Sequence, residues 1–136
     1  MSKEAFVFPG QGSQETGMGQ SLLEQPDSEL SQIAGRTFDE ANDILGEDFR
    51  AICLINPDGK LDRTLYTQPA LLIVSTAANR MLTHLGRKPD MVAGHSAGEY
   101  SALVAAGSLS YEKALKLLQE RGRAMEEAMT IDQENA

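Results

Sequence analysis

Two rhythms of apolar residues alternate along this chain. Ala5-Phe6-Val7-Phe8 is a short apolar run ending at Pro9-Gly10, the pattern of a buried strand that meets a loop. From Met18 to Leu23 and again from Ser28 to Leu45 the spacing becomes helical, with Leu30, Ile33, Ala34, Phe38, Ala41, Ile44 and Leu45 on one stripe. Gly46 follows as a C-terminal stop. Phe49 to Ile55 is another short apolar stretch, closed by the turn Asn56-Pro57-Asp58-Gly59. The next helix is expected to start at Gln68-Pro69, because proline in a first turn forfeits no hydrogen bond. Ala70 to Leu85 is almost uncharged, which predicts a helix buried on most sides. Met91-Val92-Ala93 makes a second short strand running into Gly94. Ser110 to Met129 reads as one long helix whose apolar face is Tyr111, Ala114, Leu115, Leu118, Gly122, Met125 and Met129. Strands and helices together give an α/β chain.

Composition narrows the function classes. With 136 residues, 41% hydrophobic and 24% charged, the chain has the size and make-up of one soluble domain with its own core. No apolar run approaches the length of a membrane span, and the residues before Ala5 lack the basic and apolar regions of a signal peptide, so a cytoplasmic protein is expected. Twelve Lys and Arg against 20 Asp and Glu give a net charge of −8, which argues against nucleic acid and anionic membranes as partners. The single cysteine, Cys53, sits between Ile52 and Leu54 and is expected to be a buried, inert thiol. One Cys and two His do not suffice for a structural zinc site, and no metal is expected.

The chemistry gathers around Ser96. Met91 to Leu103 reads as a strand, the turn Gly94-His95-Ser96-Ala97-Gly98 and a helix, the context in which G-x-S-x-G presents a nucleophilic serine on a crowded turn. A tight Gly-Ser turn without catalysis is the plainer alternative. At a helix N-terminus, free N–H groups and the dipole favour the negative charge of an oxyanion. A nucleophilic serine needs a base, and only His84 and His95 are available. His95 adjoins the serine in a tight turn and should diverge from its hydroxyl. His84, in the last turn of a helix, is expected to bond the C-terminal carbonyls. No convincing catalytic histidine is present.

A second feature is an arginine without a partner on its own helix. Arg123 has Glu120, Glu126 and Glu127 within one turn and reads as part of a solvated charged face. Arg121 instead has Leu117, Leu118, Ala124 and Met125 at those positions. Its guanidinium must find an anion elsewhere: the plainer readings are an ion pair with another segment or a side chain that snorkels to water, and the functional one is a bidentate fork for a substrate carboxylate or phosphate. The adjacent Gly122 is costly in a helix and implies close packing on that face.

Phe8-Pro9-Gly10-Gln11-Gly12-Ser13-Gln14, Thr67-Gln68-Pro69-Ala70-Leu71-Leu72, Gly94-His95-Ser96-Ala97-Gly98-Glu99-Tyr100-Ser101-Ala102 and Arg121-Gly122 with Met125 stand in an order and spacing that resemble the N-terminal part of malonyl-CoA:acyl carrier protein transacylases and related acyltransferase domains. The resemblance implies part of an α/β-hydrolase-like large subdomain, a parallel sheet flanked by helices. It also implies a Ser96 nucleophile that takes malonyl from malonyl-CoA and yields it to the phosphopantetheine thiol of acyl carrier protein, in fatty acid biosynthesis, without a cofactor. By the same resemblance the N–H groups of Gln11 and Ala97 form the oxyanion hole, Arg121 binds the malonyl carboxylate, and Gly10, Gly12, Gly94 and Gly98 support the turns. Ala97 stands where many members carry leucine. Family members are much longer: their general-base histidine, a small ferredoxin-like subdomain and the last strands of the large subdomain lie past the last residue here. Residues 1–129 therefore correspond to the N-terminal part of the large subdomain and 130–136 to a polar tail at a truncation, inactive by itself. The competing readings are a serine esterase or thioesterase on a related scaffold, and a non-catalytic remnant.

Overall fold

A computed structural model describes residues 2–135. Met1 and Ala136, the outermost residues of the two expected spans, lie outside the described residues. The elements, in chain order, are β1 (Ala5–Phe8), α1 (Gln20–Leu23), α2 (Ser28–Leu45), α3 (Phe49–Leu54), a 3-10 segment (Pro57–Asp62), α4 (Thr64–His84), β2 (Met91–Gly94), α5 (Gly98–Ala105) and α6 (Tyr111–Glu134). Local chemistry sets several of these ends. The Asp27 carboxylate accepts from the N–H groups of Glu29 and Leu30 to open α2, Gly46 closes it at φ 71°, and the Ser110 hydroxyl caps α6 through the Lys113 N–H.

Two helices depart from the expected bounds. α4 begins at Thr64 rather than at Gln68-Pro69, so Pro69 lies inside the helix and its ring leaves the carbonyl of Leu65 without the usual partner. The start is fastened by the buried Thr67, whose hydroxyl reaches the carbonyls of Leu61 and Arg63. α6 runs past Met129 to Glu134, taking in most of the segment expected as a polar tail, because nothing between Thr130 and Glu134 breaks a helix.

The core is built around α4, which packs against α2, α5 and α6. Phe38, Phe49, Ile52, Leu61, Leu72, Ile73, Leu115 and Leu118 are almost wholly removed from water there. Ala70 to Ala77 is buried apart from the partly covered Val74, as expected, but the burial predicted through Leu85 fails beyond it: Ala78 to Arg80 are partly covered and Leu82 to Leu85 are exposed, because this end of α4 runs out past the core. β1 and β2 form a parallel pair in the register Ala5 with Met91 through Phe8 with Gly94. Both strands therefore end at the same edge, and the segments after Phe8 and after Gly94 emerge side by side although 86 residues separate those two positions. A groove of about 430 Å³ lies between β1 and α4, lined in part by Val7, Val74, Ala78 and Leu82. Among the described residues no helix is long and apolar enough to cross a membrane.

Candidate active site

Ser96 holds a left-handed backbone conformation with φ 54°, which an L-residue adopts only when its surroundings enforce it. The enforcement comes from backbone packed on backbone. A Cβ on Gly94 would fall on the carbonyl of Gly98, one on Gly98 would meet the carbonyls of Phe8 and Pro9, and one on Gly10 would fall on the carbonyl of His95. The two strand-end turns thus touch through Gly10 and Gly98, while Gly94 lets the serine turn close on itself, and each of the three is required for close approach. Gly12 differs, since a Cβ there has open space and only its φ of 111° demands glycine.

The result is an exposed Ser96 at the start of α5. The N–H groups of Gly98, Glu99 and Tyr100 bond to the carbonyls of His95, Ser96 and Ala97 at 2.9, 3.1 and 3.1 Å. The Ala97 N–H enters no protein hydrogen bond among the described residues. On the neighbouring turn, Ser13 bonds the carbonyl of Gly10 through both its N–H and its hydroxyl, and the Gly12 N–H bonds Gln14 Oε1. The Gln11 N–H is likewise uncommitted among the described residues. The Gln11 side chain donates from Nε2 to Thr64 Oγ1 at 2.9 Å, which ties this turn to the first residue of α4.

Arg121 reaches the same place from α6. Its Nη2 donates to Ser96 Oγ at 3.4 Å, its Nη1 donates to Gln68 Oε1 at 2.8 Å, and its Cζ lies 5.8 Å from the centre of the Tyr100 ring. Among the described residues no carboxylate lies within ion-pair distance of this guanidinium, so the anion expected from another segment is absent and every partner is neutral. The apolar setting expected for Arg121 is only half realised: Leu118 is buried, but Leu117 is 47% and Met125 38% exposed. Water reaches the arginine, which explains how a charge without a counter-charge is tolerated. The neighbouring Gly122 is buried, and a Cβ there would stand 2.7 Å from the Thr64 carbonyl, so α6 and α4 meet backbone to backbone beside the site. Arg123 pairs with Glu120 on the solvated face, as its sequence neighbours imply.

Gln68 is a site residue that sequence reasoning missed. It is fully buried, accepts from Arg121, and donates from Nε2 to Met125 Sδ at 3.1 Å. The signal was a glutamine at the head of an apolar helix, read instead as a helix start.

The two histidines do not reach the serine. His84 binds Glu29 Oε2 at 2.9 Å rather than the last carbonyls of α4, whose ends are met by the N–H of Leu85. His95 is exposed, and among the described residues neither ring bonds Ser96 Oγ. Cys53 is buried, and burial lifts its thiol to about 12, so it carries no nucleophilic thiolate near neutral pH.

Comparison with known proteins gives the geometry a family. The acyl transferase domain family matches residues 5–136. The malonyl CoA-acyl carrier protein transacylase of Escherichia coli K12 is 46% identical over 130 residues, 95% of this chain and 40% of that protein. An acyl carrier protein S-malonyltransferase from Vibrio cholerae superposes with a TM-score of 0.86 at 46% identity, covering 93% of this chain and 40% of its own. A malonyl-transacylase solved in complex with a type II PKS acyl-carrier protein superposes at 0.84 with 44% identity, over 93% of this chain and 40% of its own. The chain thus spans about two fifths of these relatives, and the matched part carries the turn of Ser96, the Gln11 turn and the helix of Arg121. The chain belongs to the acyl transferase domain family.

Proposed function

We propose that this chain supplies the acyl-accepting part of a malonyl-transferring site. Ser96 Oγ attacks the thioester carbonyl of malonyl-CoA and gives its proton to a general base, the N–H groups of Gln11 and Ala97 receive the oxyanion, and the carbon–sulfur bond breaks so that coenzyme A leaves as the thiol with that proton. The malonyl ester on Ser96 then passes to the phosphopantetheine thiol of acyl carrier protein. The observation that carries this reading is the guanidinium of Arg121, within hydrogen-bond reach of Ser96 and bonded only to neutral groups. A cation beside the nucleophile, with no counter-charge of its own, favours an acyl group that brings one.

The strained φ of Ser96 supports its role, as does the pair of uncommitted N–H groups on adjoining turns. The general base belongs, by resemblance, to the portion of the relatives that this chain does not span. Acyl carrier protein as partner rests on the named relatives, and fatty acid biosynthesis in the cytoplasm as setting rests on the family resemblance of the sequence. With a net charge of −8, docking of an acidic carrier relies on local contacts rather than long-range attraction.

The test is acyl transfer by protein carrying this sequence, with and without Ser96→Ala. Malonyl delivered to a phosphopantetheine thiol faster than to water, and lost in the variant, is expected. Hydrolysis that outruns transfer would mark a serine esterase or thioesterase instead.

A further inference from the structure

The geometry points to Tyr100 as the positioning residue that makes Arg121 selective for a carboxylate, an inference that rests on the malonyl reading above. Tyr100 lies on α5, one helical turn after Ser96, and its partly buried side chain packs against the main core cluster. Its ring is therefore held by the core while one face lies under the Arg121 guanidinium at 5.8 Å. Gln68 fixes one end of the same guanidinium from α4, and Ser96 meets the other.

A guanidinium is a planar fork, and two in-line contacts leave it free to roll about the line joining them. A ring beneath the plane removes that freedom. What remains is an N–H edge with a fixed plane, the requirement for bidentate capture of a carboxylate rather than diffuse attraction to any anion. No other aromatic ring lies against this arginine among the described residues, so the restraint is assigned to Tyr100 alone.

The test measures dissociation constants of the non-transferable ketone analogues of malonyl-CoA and acetyl-CoA, in which a methylene replaces the thioester sulfur so that no acyl-enzyme can form, with Ser96 in place, and takes their ratio. Tyr100→Phe keeps the ring and is expected to keep the ratio. Tyr100→Leu is expected to lower the malonyl preference about two- to fivefold, the size of a partly exposed cation–ring contact. In an Arg121→Ala background Tyr100→Leu is expected to change nothing further. A parental ratio in Tyr100→Leu, or an equal loss with Arg121 already removed, overturns the assignment. If Arg121→Ala itself leaves the ratio unchanged, or neither analogue binds, the malonyl reading fails. The NMR signals of Arg121 then decide on the ring contact separately: in the unsubstituted chain its Nε–H and δ-methylene protons are expected to be shifted upfield by the Tyr100 ring, and unshifted values overturn the assignment whatever the variants do.

Discussion

Arg121 and Gln68 face each other between α6 and α4, a full positive charge donating at 2.8 Å to the oxygen of a buried, neutral amide. An aspartate or glutamate at that position would have made a salt bridge and consumed the charge. The amide fixes the guanidinium without neutralising it. Gln68→Glu, nearly isosteric, is therefore expected to cut the proposed preference for malonyl over acetyl groups by about tenfold or more, since an internal carboxylate competes with that of the substrate. Relative acylation of Ser96 by the two thioesters checks this, and an unchanged preference would show that the charge of Arg121 is not what selects.

The backbone contacts at the strand ends predict a graded response among the glycines. Gly98→Ala forces a Cβ into the carbonyls of Phe8 and Pro9 and is expected to destabilise the chain by roughly 3 kcal/mol or more. Gly12→Ala meets only the cost of a positive φ, about 1–2 kcal/mol. Chemical denaturation of the two variants should preserve that order.

Ser96 holds its strained φ of 54° at the expense of stability. Ser96→Gly is expected to gain about 0.5–1 kcal/mol while losing the proposed nucleophile, whereas Ser96→Ala, which keeps the Cβ, should change stability by less than about 0.5 kcal/mol. Thermal melts of the pair test this. Equal stabilities would mean that the turn stores no strain at the serine.

Alkaline pH should weaken the fold from within. Burial raises the Cys53 thiol from 9.0 to about 12, so the folded chain retains a proton that the unfolded chain releases above about pH 9. Fewer protons on the unfolded state mean that stability falls as pH rises from about 9 to 12, and is unaffected by this group below that window. Burial also raises the Tyr111 hydroxyl, which donates to the Thr37 carbonyl at 2.8 Å and adds to the same trend. Denaturation curves between pH 8 and 11 should show a shallower decline in Cys53→Ala. The native thiol should resist alkylation near neutral pH and react once unfolded.

The sequence disclosed most of what is local. The position of the strand before Pro9-Gly10, the stop at Gly46, the turn of Ser96 and the long helix of Arg121 each follow from periodicity and punctuation within a few residues, but the burial expected of that strand does not hold, since Val7 is 73% exposed. What escaped depends on partners distant in the chain. Pro69 reads as a helix start because proline usually is one, yet Thr67 anchors an earlier start and α4 tolerates the ring. Gln68 acquires its meaning only from Arg121, 53 positions away, and His84 from Glu29, 55 away. The glycine pattern showed that the turns are crowded, but only the parallel register of β1 and β2 explains that they crowd each other.

The central claim, that Arg121 selects an acid-bearing acyl group for Ser96, is tested most directly by competition. Protein carrying this sequence is offered equal malonyl-CoA and acetyl-CoA, and the acyl group on the Ser96 peptide is identified by mass spectrometry, with and without Arg121→Ala. Malonyl on Ser96 in the parent, with the preference lost or reversed in the variant, is the predicted result. A parent that takes both groups equally, or a variant that keeps the malonyl preference, would contradict it.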